Sequence, residues 1–219
     1  MGKIIFNVLL FVPLIVFSQT ANPLIITWQT NNYFPADYMG KAAATPNSPI
    51  IVSVEMIQKG KLADITGADI KWYADNSIIA NGVGQKTASF AVAQNGNGYQ
   101  NIRVSVSVGN ASFDNSVRIP IVKPSVVITS FLKNQSVKPG DEVVFQALPF
   151  FFNVDSIQKL AFFWQINNQS TTGDDNKLTI KVGTPKSDFQ NSILVSATAQ
   201  NSDNLYEFNK GSLNLSITQ

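Results

Sequence analysis

The side chains best suited to moving a proton near neutral pH are missing from this sequence: its 219 residues include no histidine and no cysteine. Without histidine the chain lacks the commonest general base and the commonest transition-metal ligand, and a Ser-His-Asp triad cannot be assembled. Without cysteine there is no thiolate nucleophile or ligand, no disulfide, and no lipobox residue to carry a lipid. Fourteen carboxylates remain, and only Glu55, Glu142 and Glu207 are glutamates. A glycosidase-type pair needs two acids flanking a cleft, and so few acids spread over short strands are a poor source of one. Asp174-Asp175 follows Gly173 without any Asp-x-Asp-x-Asp-Gly loop, so it reads as a solvated turn rather than a calcium site. No Gly-rich loop precedes a helix to cradle a phosphate. The reading is therefore no enzyme: no catalytic residue, no metal ligand and no cofactor.

Aromatic rings offer the other chemistry, recognition by contact. Tyr33, Phe34 and Tyr38, with Lys41 close behind, lie in a segment of residues 30–49 that Pro35, Pro46 and Pro49 prevent from being one regular strand. Exposed flat rings suit a protein or a sugar; alternatively they cover the open edge of a sheet. In Phe150-Phe151-Phe152, extended neighbours point to opposite faces, so at least one ring leaves the core. Packing locally or against a neighbouring unit is the favoured reading, and partner contact the alternative. Tyr33, Phe34, Tyr38, Lys41 and Phe151 make up the candidate binding surface.

Two tryptophans organise the elements that must hold these residues. Ile70, Trp72 and Ala74 recur at every second position, as do Phe162, Trp164 and Ile166, which is the period of a half-buried strand. The tryptophans stand 92 positions apart, close to the length of one small sandwich of about 100 residues. Further alternating runs surround each: Val52, Val54 and Met56; Ala88, Phe90 and Val92; Ile102, Val104, Val106 and Val108 in the first copy. The second copy carries Leu178, Ile180 and Val182; Ile193, Val195, Ala197 and Ala199; and Leu213, Leu215 and Ile217. Matching Ile102 with Ile193 gives an offset of 91, and Gln100-Asn101 and Gln190-Asn191 precede the two runs. Asn81-Gly82 and Asn95-Gly96 supply turn chemistry. No long helical pattern occurs, so the expected fold is all-β: two tandem immunoglobulin-like Greek-key β-sandwiches after an N-terminal signal segment. Their predicted bounds are 23–123, with the long loop at 30–49, and 124–219, with the junction at Lys123-Pro124. Trp72 and Trp164 are expected to be structural core residues.

Residues 1–18 read as the signal peptide. Lys3 gives the positive end, Ile4 to Phe17 an apolar run of 14 residues, and Ser18 a small residue for cleavage. A span needs about 20 apolar residues, so membrane contact is expected only through this segment if it is uncleaved. Hydrophobic residues are 44% of the chain and charged residues 14%, which fills cores but leaves Ser, Thr, Asn and Gln to cover the surface. That surface suits an extracytoplasmic protein, secreted or in the cell envelope. Fourteen lysines and two arginines without a cluster exclude a nucleic-acid groove. Asn-x-Ser occurs at Asn110, Asn134, Asn168 and Asn214, read as chance in a Lys-, Asn- and Ile-rich bacterial chain and as glycan sites in a eukaryotic one.

Trp72-Tyr73-Ala74-Asp75 with Gly82-Val83-Gly84, and Phe163-Trp164-Gln165-Ile166-Asn167-Asn168 before Leu178-Thr179-Ile180, resemble bacterial immunoglobulin-like domains. The resemblance includes the branch named for polycystic kidney disease repeats, although the acidic Trp-Asp-Phe-Gly-Asp motif is absent. The layout is also similar to uncharacterised secreted proteins of candidate-phylum bacteria with tandem domains. The resemblance implies that each strand tryptophan fills an inter-sheet core. The expected function is a non-catalytic scaffold or adhesion module whose partner is another cell-envelope or extracellular protein. The alternative is a glycan partner, held through the Tyr33/Tyr38 region or through Tyr73 and Tyr99.

Overall fold

In the computed structural model of the chain, the described residues are 22–93, 98–130, 132, 134–184 and 191–218. The leader read at 1–18, the turn read at Asn95-Gly96, and Gln190 lie outside them. Eight strands come first: β1 (Leu24–Thr30), β2 (Pro49–Gln58), β3 (Lys61–Ala63), β4 (Asp69–Ala74), β5 (Ser77–Val83), β6 (Thr87–Ala91), β7 (Tyr99–Val108) and β8 (Ala111–Pro120). One antiparallel sheet joins β1, β2 and β3, with β6 on β2, and the facing sheet runs β5-β4-β7-β8. Alternation puts Val52, Val54, Ile70, Trp72, Val104 and Val106 between the sheets, each fully buried. The Trp72 indole N–H would be stranded there, but it donates to the Gln85 carbonyl at 2.8 Å.

The second eight repeat the plan. They are β9 (Ser125–Ser130), β10 (Ser136–Val137), β11 (Glu142–Phe150), β12 (Leu160–Ile166), β13 (Gln169–Thr171), β14 (Lys177–Lys181), β15 (Ser192–Asn201) and β16 (Phe208–Ile217). The sheets are β14-β11-β9 and β10-β16-β15-β12-β13. Phe145, Phe152, Trp164, Ala197 and Leu215 fill a second, separate core. Trp164 repeats the indole bond, here to the Asp175 carbonyl at 3.0 Å. Gly211 is required on β16, because a Cβ there would run into the Val126 carbonyl of β9.

In both copies the chain changes sheets near its start. β9 pairs antiparallel with β11, and β10 then pairs parallel with β16. In the first copy β1 pairs with β2, and Ala44 then bridges Ile121 in parallel. Residues 30–49 are thus the long form of this crossover.

Two readings of the sequence need correction. Trp72 pairs with Val104, whereas Trp164 pairs with Ala197. Asp75 accepts from the Asn101 N–H, and Asn167 from the Leu194 N–H. The structural offset on this strand is therefore 93, not 91, and the counterpart of Asn101 is Leu194 rather than Asn191. A slip of two residues leaves every side chain on its own face, so alternation cannot detect it. Asn81-Gly82 is not the turn either. It lies inside β5, opposite Lys71 and Ile70, and the positive φ of 68° falls at Gly84.

Candidate functional site

The expected binding surface lies where the two copies meet. The crossover after β1 brings Asn32 to a buried position, 2% exposed. Its Nδ2 approaches the Ala43 carbonyl (3.1 Å), Thr45 Oγ1 (2.9 Å), Ser48 Oγ (2.7 Å) and the Phe151 carbonyl (3.1 Å). Its Oδ1 accepts from Thr30 Oγ1 at 3.0 Å. An amide has two hydrogens, so four acceptors share them, and the last belongs to the second copy. Next to it, the Tyr33 N–H donates to the Phe152 carbonyl at 2.8 Å, and the Phe151 N–H donates to the Tyr33 carbonyl at 2.6 Å. This is one rung of antiparallel β-ladder between the copies. The Tyr33 ring packs against the second core rather than the first, and burial pushes its phenol pKa up.

Phe151 takes φ 63°, a conformation rare for a bulky residue. Its N–H and carbonyl are held by Tyr33 and Asn32, which fixes it there. The same turn sends Phe152 into the core, fully buried, while Phe150 and Phe151 stay partly exposed. Tyr38 lies against Phe34, Phe150 and Phe151 at centroid distances of 5.5, 5.6 and 5.6 Å, all edge-on. Its ring folds back over Gly40, where any Cβ would strike it, and the intervening Met39 is 97% exposed.

Four of the five candidate residues, Tyr33, Phe34, Tyr38 and Phe151, therefore come together at the seam. Lys41 sits apart, its Nζ 3.4 Å from the centroid of the Trp28 ring, with its pKa lowered by burial. Trp72 and Trp164 lie in different cores. Two glycan candidates have occupied faces: Arg103 stacks on Tyr73 at 3.9 Å and Arg118 lies over Tyr99 at 5.0 Å.

Sequence reasoning missed the polar half of the seam. Asn153 Nδ2 donates to the Asn47 carbonyl at 3.1 Å, linking the copies a second time. Glu207 is 9% exposed. It accepts from the Asn153 N–H at 2.8 Å through Oε1 and from Asn201 Nδ2 at 2.6 Å through Oε2. Nothing distinguished Asn32 or Asn153 among 22 asparagines. Met39, inside the aromatic segment, was the legible signal that went unused. Two open grooves flank the seam, of ≈ 570 Å³ by Pro46, Lys123 and Tyr206, and of ≈ 510 Å³ by Tyr33, Asp37 and Gln146.

The sheets and cores define an all-β chain of immunoglobulin-like sandwich architecture. No family model matches it, and no curated protein matches its sequence. Among solved structures, the fibronectin(III)-like modules of Clostridium thermocellum CbhA are 11% identical, with 88% of this chain and 95% of that one covered at a TM-score of 0.30. The amphioxus IgVJ-C2 molecule is 14% identical over 80% and 99% of the two chains, at 0.31. The three N-terminal domains of the bacteriophage RB49 outer capsid protein Hoc are 12% identical over 89% and 69%, at 0.30. At such scores these likenesses add nothing to the topology seen directly.

Proposed function

We propose that the chain is a non-catalytic scaffold or adhesion module that works through protein contacts, secreted or held in the cell envelope. In this reading residues 23–123 and 124–219 are its two domains, behind a leader at 1–18. The finer kinship with bacterial polycystic-kidney-disease-type domains of secreted proteins rests on Trp72-Tyr73-Ala74-Asp75 with Gly82-Val83-Gly84, and on Phe163-Trp164-Gln165-Ile166-Asn167-Asn168 before Leu178-Thr179-Ile180.

One observation carries the protein-contact reading. Beside the rings of the seam Met39 is 97% exposed, and in the turn between β15 and β16 the neighbours Leu205 and Tyr206 are 64% and 95% exposed. Adjacent apolar side chains held in solvent suit a contact site. The seam rings meet at interplanar angles of 62–80°, so they offer no coplanar platform for a sugar, and Tyr73 and Tyr99 are covered by guanidinium groups. In this reading Phe34, Tyr38 and Lys41 border the contact surface, while Tyr33 and Phe151 brace it.

The test is retention of solubilised cell-envelope material by the immobilised chain, run beside a glycan array. Retention abolished by protease and indifferent to periodate is expected. Binding that survives protease, is lost with periodate and is matched on the array would replace this reading with a carbohydrate one.

A further inference from the structure

Strand β6 lies at the edge of its sheet, and its hydrogen-bond phase is fixed. The Val54 N–H donates to the Lys86 carbonyl and the Val92 N–H to the Ser48 carbonyl. The same register sets Val52 opposite Ala88 and Ile50 opposite Phe90. Antiparallel strands alternate bonded and non-bonded pairs. Lys86, Ala88, Phe90 and Val92 therefore spend their backbone groups on β2, and Thr87, Ser89 and Ala91 point theirs out of the sheet. Gln85 Nε2 donates to the Thr87 carbonyl at 2.7 Å, from the side where this phase places that oxygen. Among the described residues no strand pairs with this side of β6.

Strand β14 holds the same place in the second sandwich, paired with β11 as β6 is with β2. The Ala147 N–H donates to the Asn176 carbonyl and the Val182 N–H to the Asp141 carbonyl, so Lys177, Thr179 and Lys181 are the residues that face out along this edge. Proteins keep bare edges from pairing with lysines and with covering loops. The β14 edge has both. Two of its three outward residues are exposed lysines, and a turn closes over Lys177, whose N–H and carbonyl are bonded to Asp174 at 2.9 and 2.8 Å. The β6 edge has neither. Its outward residues are Thr, Ser and Ala, and the run from Thr87 to Ala93 carries no charge. Lys86, just before it, is held by Glu55 at 2.8 Å.

A row of outward N–H and C=O groups on alternate residues is matched by another extended backbone. A twofold axis at Ser89 maps the β6 row onto itself: Ser89 meets Ser89, and Thr87 meets Ala91. Each of these pairs can exchange two hydrogen bonds. The Thr87 carbonyl keeps Gln85 as well, because its oxygen has two lone pairs. No like charges meet, and half-buried Phe90 comes beside Ala88 of the other molecule. The same operation on β14 would set Lys177 against Lys181 twice. The neighbouring edge strand β5 is also uncharged, but its register shifts between Trp72 and Tyr73 of β4, which breaks the alternation of outward groups. We propose that β6 is a dimerisation edge, at which two molecules pair antiparallel about Ser89 and join two sheets into one. The pairing is isologous, so the assembly closes at two. It is independent of the envelope-contact reading.

The experiment is sedimentation velocity of the full chain over a concentration series, on wild type, T87K/A91K and T87K/A91E. Both substituted side chains are exposed, so far-UV circular dichroism should match wild type. Wild type is expected to dimerise as concentration rises. T87K/A91K copies the lysine pattern of β14 and sets like charges directly opposite at two pairs, so its dimer Kd should rise by roughly tenfold or more. T87K/A91E places Lys opposite Glu at both pairs and should dimerise at least as tightly as wild type. Ser89→Cys introduces a cysteine into a chain that has none. Mild oxidation should link it into a dimer, whereas Thr179→Cys, on the guarded edge, should stay monomeric. A wild type that is monomeric at every concentration overturns the proposal. So does a dimer untouched by T87K/A91K, a dimer lost equally in T87K/A91E, or cross-linking of Ser89→Cys no greater than that of Thr179→Cys.

Discussion

Asn32 holds together more than its size suggests. Its amide ties the first crossover to itself through Ala43, Thr45 and Ser48 and reaches the second copy through Phe151. Replacing it by Ala strands several buried groups, and each unsatisfied one costs about 1–3 kcal/mol. Asn32→Ala should therefore unfold at clearly lower urea, whereas Asn31→Ala, one residue earlier and exposed, should unfold as wild type does. The tryptophans are simpler. Trp72 and Trp164 are 0% and 2% exposed, and either changed to Ala should cost about 3–5 kcal/mol in a urea titration. Tyr33 gives a pH signature. Its folded-state pKa lies above the ordinary 10.0, so the unfolded chain loses the phenolic proton first. The stability it contributes is complete below that ordinary value and is lost as pH rises through the folded pKa. Melting temperature should fall on the alkaline side in wild type, and Tyr33→Phe should fall less.

At the scale of elements, the 30–49 crossover is more than an added loop. Its β1 end pairs with the second copy, its middle packs rings on Phe150 and Phe151, and Ala44 closes back on the first sandwich. Replacing Tyr33, Phe34 and Tyr38 together by Ser should lower the melting temperature markedly, since 1 kcal/mol shifts it by about 2–4 °C in a chain of this size. Met39→Ser should leave it unchanged, because nothing folded covers that side chain. Calorimetry on the two proteins checks both outcomes. Strand alternation identified the strands around the tryptophans because burial on one face imposes a period of two. It failed in two instructive places. The two-residue slip on β15 keeps all faces, and Asn81-Gly82 lies in β5 because Gly82, at φ 158°, uses its freedom from a Cβ inside the strand rather than in a turn.

For the whole molecule, the seam sets how the sandwiches move. A ladder rung at Tyr33 and Phe152, the Asn32–Phe151 bond and the Asn153–Asn47 bond join them. The double variant Asn32→Ala with Asn153→Ala should broaden the distance distribution from small-angle scattering and split unfolding into two steps; an unchanged profile would show that the linker alone fixes the joint. The sequence by itself determined the strand class, the doubled plan, the two indole-centred cores and the poverty of catalytic groups. Those follow from composition and from periodicity, which are local. Only the tertiary structure decided that two aromatic segments 117 positions apart, at Phe34 and Phe151, form one cluster, and that a tyrosine of the first copy packs on the core of the second. It also turned Glu207, one acid among 14, into a brace. Such contacts depend on the angle at which the two sandwiches dock, and that angle is a sum of many weak surface terms with no period for a sequence to display.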